Sequence, residues 1–415
     1  MGKSALDGVK VASFCWAATG PLAVRYLGQF GASVVKVESH ARPDVVRISA
    51  PYKDGVVGID NSTWFANANN SCYSVSLNLK KPRGRDIAWK LIEWADVIGE
   101  NFSPGTMSKM GLDYESVRER KPDIIYFSTS QLGQSGPYSR FTAWGWHASA
   151  MSGFTYLIGE PSMDPVPYPG AYNDYIACRF SAFAIMAALE HKRQTGQGQF
   201  IDLSQMESSC HVLATPLLDY FANNRVLERN GNRVEYAVPS GVFPCVGDDR
   251  WCAIVVSTEE EWHTLCQAMS KPDWINDPRF STFLTRKKNE TELEKLISEW
   301  TVKHSSEEVE TLLQGVGVAA HVVENAKDLA EDPQLQHRGY FRQYRHSVIG
   351  THTYRGPSFK MSKTPDVEFA GPALGEHNEY VLKELLGLSD DEIAEALIDG
   401  SITTSADLPE LKSAG

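Results

Sequence analysis

Residues 9–38 read VKVASFCWAATGPLAVRYLGQFGASVVKVE, and their pattern decides the fold. Residues 9–14 form a short apolar run of the kind a buried strand makes. Gly20-Pro21 then opens a helix, with proline placed where a missing N–H costs nothing. That helix is predicted to run to about Phe30 and to stop at Gly31. Residues 33–37 (SVVKV) are a second strand. The same alternation continues outward. Residues 74–79 (SVSLNL) alternate with period two, and residues 81–94 are helical, with Ile87, Leu91, Ile92 and Trp94 apolar. Residues 96–99 and 123–128 (DIIYFS) are further short strands. Strands alternating with helices predict an α/β fold, a parallel sheet with helices on its faces.

Beyond this, residues 131–170 are rich in Gly, Pro, Ser and aromatics. A long irregular stretch inside a compact domain is often a functional loop. Residues 174–193 form a strong helix with a broad apolar face, ended by Thr195-Gly196-Gln197-Gly198. Residues 200–203 are a short strand, followed by a helix from Ser204. Composition shifts near residue 225. Strand-like runs at 242–245, 251–256 and 316–323 flank amphipathic helix over 259–314. We therefore expect a large domain from 1–220 with 345–415, and a smaller α+β domain at 221–344. Helices are expected at 378–386 and 390–399.

The chain has 415 residues, enough for about two domains and a large core without staples. Its composition excludes collagen-like, coiled-coil and disordered chains. Forty basic and 52 acidic residues give a net charge of -12, which disfavours nucleic-acid binding. Seven scattered cysteines with no C-x-x-C fit a reducing cytosol better than a secreted scaffold. No run approaches the ~18 apolar residues of a membrane span, and no signal peptide opens the chain. A cytoplasmic enzyme is the expectation.

The common chemical motifs are missing. Cys15-Trp16-Ala17-Ala18-Thr19-Gly20 occupies the turn where a dinucleotide fingerprint would stand. There is no P-loop, and Gly133-Gln134-Ser135-Gly136 is not a nucleophile elbow. The absence of H-E-x-x-H and paired C-x-x-C argues against a zinc site, so no metal is expected. These patterns alone reach only an α/β enzyme of unknown reaction.

Several segments in order carry more. They are Leu6-Asp7-Gly8-Val9-Lys10-Val11 through Gly20-Pro21 and Val35-Lys36-Val37-Glu38, and Glu100-Asn101-Phe102-Ser103-Pro104-Gly105 through Met110-Gly111-Leu112. Gly133-Gln134-Ser135-Gly136-Pro137, Asn173-Asp174-Tyr175 with Arg193-Gln194-Thr195-Gly196-Gln197-Gly198-Gln199, and Gly375-Glu376-His377-Asn378 with Leu385-Leu386-Gly387 complete the set. Together they resemble the class III CoA-transferases, the formyl-CoA transferase and carnitine CoA-transferase type, over nearly the whole chain.

The resemblance implies a Rossmann-like CoA domain and an interlocked dimer, either of one chain or of two related subunits. It implies no permanently bound cofactor, with CoA and acyl-CoA entering as substrates. It makes Asp174 the catalytic nucleophile, forming an aspartyl-CoA thioester. The alternative is that Asp174 only N-caps its helix. The resemblance also places an oxyanion-stabilising loop at Ser240 and Gly241. Trp16, Ala17, Leu77, Asn101, Phe102 and Lys109 fall at CoA-contacting positions. Ser39 stands where some relatives carry Arg, so Arg42 is a candidate substitute.

The pattern also breaks. An α-methylacyl-CoA racemase of the same superfamily would need a His where Trp144 stands; His147 lies three residues away. Many class III transferases carry an acid where Gly145 stands and Gln where Ser149 stands. Losing the acid removes a side chain that can assist the anhydride chemistry and widens the expected pocket for a large acyl group. Trp144, Trp146, Phe154, Tyr156, Tyr168 and Tyr172 surround it in sequence, suiting a bulky or aromatic acid. A benzylsuccinate-like acceptor with succinyl-CoA as donor is the expectation. A second carboxylate would call for an Arg fork, with Arg47 and Arg179 as candidates. A racemase and a non-catalytic subunit of a hetero-oligomer remain the alternatives. Cys178, Cys210 and His211 are assigned no role.

Overall fold

The computed structural model describes residues 3–167 and 170–409. The chain divides into two compact units. The larger comprises Met1–Phe154, Pro167–Phe221 and Gln336–Gly415; the smaller comprises Thr155–Val166 and Ala222–Leu335. The short run 155–166 thus belongs with the smaller unit, which a reading by composition does not anticipate.

In the larger unit six strands form one sheet: β1 (Lys10–Ser13), β2 (Ser33–Glu38), β3 (Tyr73–Ser76), β4 (Val97–Glu100), β5 (Ile125–Ser130) and β6 (Gln199–Ser204). All neighbours are parallel, and the order is 3-2-1-4-5-6. This is the order of a doubly wound sheet, which reverses between β1 and β4. The expected strands are therefore present, with ends displaced by a few residues.

Successive strand residues enter two different cores, as the pleat requires. Ala12, Val35, Val37, Ile98 and Tyr126 pack on one face with Ile87, Ala88, Leu91 and Ile92 of the helix Pro82–Trp94. Val11, Val34, Val97, Ile125 and Phe127 pack on the other. They meet Leu22, Ala23, Val24 and Leu27 of the helix Thr19–Gln29, and Cys178, Ile185 and Ala188 of the helix Tyr172–Thr195.

Two elements of the tail differ from expectation. An antiparallel hairpin joins Phe341–His346 to Gly350–Arg355. Its sequences, FRQYRH and GTHTYR, are mostly polar and give no strand signal. The helix expected at 378–386 is a π-helix over Tyr380–Leu385.

The smaller unit holds an antiparallel sheet of β7 (Ser240–Pro244), β8 (Trp251–Val255) and β9 (Ala319–Val322). Phe243, Cys252 and Ile254 of this sheet pack with Trp262, Leu265, Leu293, Ile297 and Leu313 from its helices. Among the described residues no helix is long and apolar enough to cross a membrane.

Candidate active site

Doubly wound sheets bind ligands outside the carboxyl ends of their strands, at the point where strand order reverses. Here that point lies between the loops after β1 and β4. Asn101 joins the two loops. Its Nδ2 donates to the Trp16 carbonyl at 2.7 Å, and its Oδ1 accepts from the Trp16 N–H at 2.7 Å. Phe102 meets the Trp16 ring edge to face, with centroids 5.6 Å apart. The Arg42 guanidinium lies 5.6 Å from the centre of the same ring, within cation–π range.

Ala17 takes a left-handed backbone at φ 58°, which costs a residue with a Cβ about 1–2 kcal/mol. Its N–H is held by the buried Asp44 carboxylate at 3.0 Å. Asp44 pairs with buried Lys36 at 2.9 Å, and Lys36 donates to the Cys15 carbonyl at 2.6 Å. The turn Cys15-Trp16-Ala17 is thus held on both sides. The structure brings Trp16, Ala17, Asn101 and Phe102 together. Lys109 is exposed at the end of the short helix Thr106–Lys109. Leu77 is buried in the core, with its N–H donated to the Glu38 carbonyl at 2.7 Å.

Glu100 closes β4 and is buried. It accepts the Phe102 N–H at 2.8 Å and the Ser128 hydroxyl. Burial nevertheless pushes its carboxyl up to about 7. A cavity of about 250 Å³ lined by Glu100, Tyr114, Ser128 and Phe200 lies beside it, and Asp174 does not line that cavity.

Asp174 is the third residue of the helix Tyr172–Thr195. It does not cap that helix: Ala171 holds the N-cap position and no side chain bonds there. Instead Asp174 Oδ1 accepts the hydroxyl of Thr19 at 2.6 Å. Thr19 is the first residue of the helix after β1. Burial raises the Asp174 carboxyl to about 6, against hydrogen bonds from Thr19 and Gln131 that lower it. The neighbouring Asn173 is fully buried. It accepts from Ser149 and donates to Ser152 at 3.3 Å and to Ser209. This neutral network fixes the start of the helix that carries Asp174. Thr19 and Gln131 were invisible in the sequence reading, because both reach Asp174 only through the fold.

Gly145 begins the helix Gly145–Met151 and touches the same place. A Cβ built there would lie 2.4 Å from the Ala171 Cβ and 3.0 Å from Asp174 Oδ2. An acidic side chain would have no room without moving one helix start off the other. Gly145→Ala is therefore expected to lower the thermal midpoint, costing about 1–3 kcal/mol. It should also slow turnover about 10–100-fold by displacing Asp174, as paired unfolding and rate measurements would show. Trp144 and Trp146 flank Gly145, 69% and 59% exposed. Phe154 and Tyr172 meet edge to face with centroids 5.5 Å apart. Tyr156 belongs to the smaller unit, and Tyr168 lies outside the described residues. His147 is exposed, and its Nδ1 accepts the Trp144 N–H at 3.1 Å.

Three expectations are corrected. Arg47 is fully buried rather than facing a substrate. Its Nε and Nη2 grip Glu38 at 2.9 and 2.8 Å, its Nη1 donates to Asp60, and it stacks 3.6 Å from the Phe65 ring centre. Arg179 is exposed, and its guanidinium donates back to the Tyr175 carbonyl of its own helix. Ser240 and Gly241 are strand residues rather than a free loop. They pair with Val255 and Ile254, and the Ser240 hydroxyl donates to the Asn232 carbonyl at 3.0 Å. Cys178 is buried, and burial pushes its thiol up to about 11, so it is packing and not a nucleophile.

A half-buried carboxylate, ionised at neutral pH yet poorly solvated, is suited to nucleophilic attack on an acyl group. The comparisons with known proteins give the class of reaction. The profile described as CoA-transferase family III matches residues 6–378, and the chain belongs to that family. It is a CoA-transferase, working on CoA thioesters. The succinyl-CoA–D-citramalate CoA-transferase of Chloroflexus aurantiacus is 30% identical to it, over 94% of this chain and 96% of that one. The succinyl-CoA:glutarate CoA-transferase of Homo sapiens is 32% identical, over 96% and 90%. A solved CAIB/BAIF family protein from Brucella suis superposes with a TM-score of 0.85 at 27% identity, covering 92% of this chain and all of the other.

Proposed function

We propose that this enzyme moves CoA from succinyl-CoA to a dicarboxylic acid through a thioester on Asp174. The observation that carries the reading is the Asp174 carboxylate, half-buried, hydrogen-bonded by Thr19 and Gln131, with Gly145 close to its Oδ2. Asp174 attacks the succinyl-CoA carbonyl carbon; the C–S bond breaks and CoA leaves as thiolate. The product is a succinyl-aspartyl anhydride. The thiolate attacks Asp174 Cγ, succinate leaves, and an aspartyl-CoA thioester remains. The acceptor carboxylate attacks that thioester and expels the thiolate again. The thiolate then attacks the acceptor acyl carbon, giving the new thioester and free Asp174. Burial suits this sequence, because water would hydrolyse the anhydride.

Trp16, Ala17, Asn101 and Phe102 at the strand-order reversal suit the CoA moiety, with Arg42 and Lys109 as cations for its phosphates. The named relatives use succinyl-CoA with citramalate and glutarate, which supports a dicarboxylic acceptor. Exposed Trp144 and Trp146 support one with an aromatic or other apolar substituent, of the benzylsuccinate kind. Phe183 and Phe221, 74% and 76% exposed in the larger unit, support association with a second chain. One related transferase is named as a beta subunit, so that second chain is a copy or a related subunit. A panel of acceptors with succinyl-CoA tests the substrate class. Glutarate, malate and benzylsuccinate should exceed butyrate by about 100-fold or more in kcat/KM, the discrimination expected of a site that pairs a second carboxylate. Equal use of butyrate would overturn the dicarboxylate reading.

A further inference from the structure

The Asp174 carboxylate takes hydrogen bonds from the side chains of Thr19 and Gln131. Oδ1 accepts the hydroxyl of Thr19 at 2.6 Å. Oδ2 faces Gly145, where an added Cβ would lie 3.0 Å away. Thr19 is itself buried, and it leads the helix that follows β1. We infer that Thr19 is a positioning residue that holds Oδ1 as the retained oxygen of Asp174 and leaves Oδ2 to be acylated. The inference rests on the reading of Asp174 as nucleophile.

The consequence is specific to particular steps. When CoA thiolate attacks Asp174 Cγ in the anhydride, the C=O pair moves onto Oδ1 and the Cγ–Oδ2 bond then breaks. Succinate leaves carrying Oδ2. When the acceptor attacks the aspartyl-CoA thioester, charge again gathers on Oδ1 before the C–S bond breaks. The Thr19 hydroxyl already lies at that atom, as a donor to a developing oxyanion must. The first and last steps instead place charge on the substrate's own acyl oxygen, which Thr19 does not touch. Removing the hydroxyl therefore slows the formation and use of aspartyl-CoA, while anhydride formation continues. The lingering anhydride then meets water, which yields succinate, free CoA and unmodified Asp174.

Thr19→Val, Thr19→Ala and Thr19→Ser test this in the full enzyme with succinyl-CoA and glutarate. Val is close to Thr in shape, and Ala serves if the Val protein does not fold. Loss of the donor should lower kcat for transfer about 100–1000-fold, while Ser should stay within about threefold of wild type. KM for succinyl-CoA should move less than about threefold, because binding is not what is lost. Free CoA released per transfer should rise about tenfold or more, a change that a merely structural role would not produce. Quenched, peptide-mapped samples of wild type supply the control. If wild type carries CoA on Asp174 but Val and Ala transfer as fast as wild type, or lose only KM, the role of Thr19 is overturned. If wild type carries no CoA on Asp174, the nucleophile reading is overturned and this inference with it.

Discussion

Asp174→Asn is expected to abolish CoA transfer, by about 10⁴-fold or more, without loss of fold. Losses of that size are typical when a covalent nucleophile is removed. The amide keeps the size of the carboxylate and can still accept the Thr19 hydroxyl. It cannot form the anhydride. Stability should move the other way, with a sign set by pH. The Asp174 carboxyl titrates near 6 in the folded chain and near 3.8 when unfolded. Between those values the folded state holds the extra proton, so the wild type loses stability as pH rises from about 3.8 to 6. Asparagine carries no such charge. The variant should therefore match the wild type below pH 4 and equal or exceed it at pH 7. Denaturant unfolding at both pH values would check this. A variant clearly less stable at pH 7 would mean that the carboxylate is a structural group.

Arg47→Leu is expected to act on the fold and not on the acceptor. Arg47 is completely buried with Glu38, and it also pairs with Asp60 at 2.5 Å. Burial alone would raise the Glu38 carboxyl, but Arg47 and Lys36 outweigh it and hold it below the ordinary range. Removing Arg47 takes away the cation hydrogen-bonded to Glu38 and leaves Lys36 to offset its charge in the core. Breaking such a pair costs about 3–5 kcal/mol. Leu also forfeits the stacking on Phe65. The deficit should shrink as pH is lowered, because protonating Glu38 removes the charge that Arg47 no longer offsets while the wild type loses its ion pair. Urea unfolding at neutral and mildly acidic pH would measure both effects. A variant of wild-type stability with weakened acceptor binding would return Arg47 to the substrate.

The contrast between these residues shows what could be read in the chain. The sheet was legible because Val11, Val34, Val35, Val97 and Ile98 sit in short apolar runs separated by helical patterns. Asp174 is singled out in the sequence only through a motif; its place at a helix start fits a cap as well as a nucleophile. Arg47 was misread because an arginine for a substrate carboxylate and one for a buried glutamate look alike in sequence. Leu77 was read as a ligand contact and is core. Thr19 stands 155 positions from Asp174, and no local pattern announces that hydrogen bond. The hairpin Phe341–Arg355 was missed because its strands are largely polar and half-exposed, so the alternation that marks a strand is weak. Gly145 was expected to widen a pocket, but the space its side chain would take is filled by Ala171. Its lack of a side chain lets two helix starts meet beside the Asp174 carboxylate.

The central claim is the covalent thioester on Asp174, and mass spectrometry of the intact enzyme after brief exposure to succinyl-CoA tests it most directly. The account predicts an added mass of one CoA less one water, mapped to the peptide containing Asp174 and lost on addition of glutarate. An enzyme that transfers CoA while that peptide stays unmodified, or that carries CoA on another residue, would contradict it.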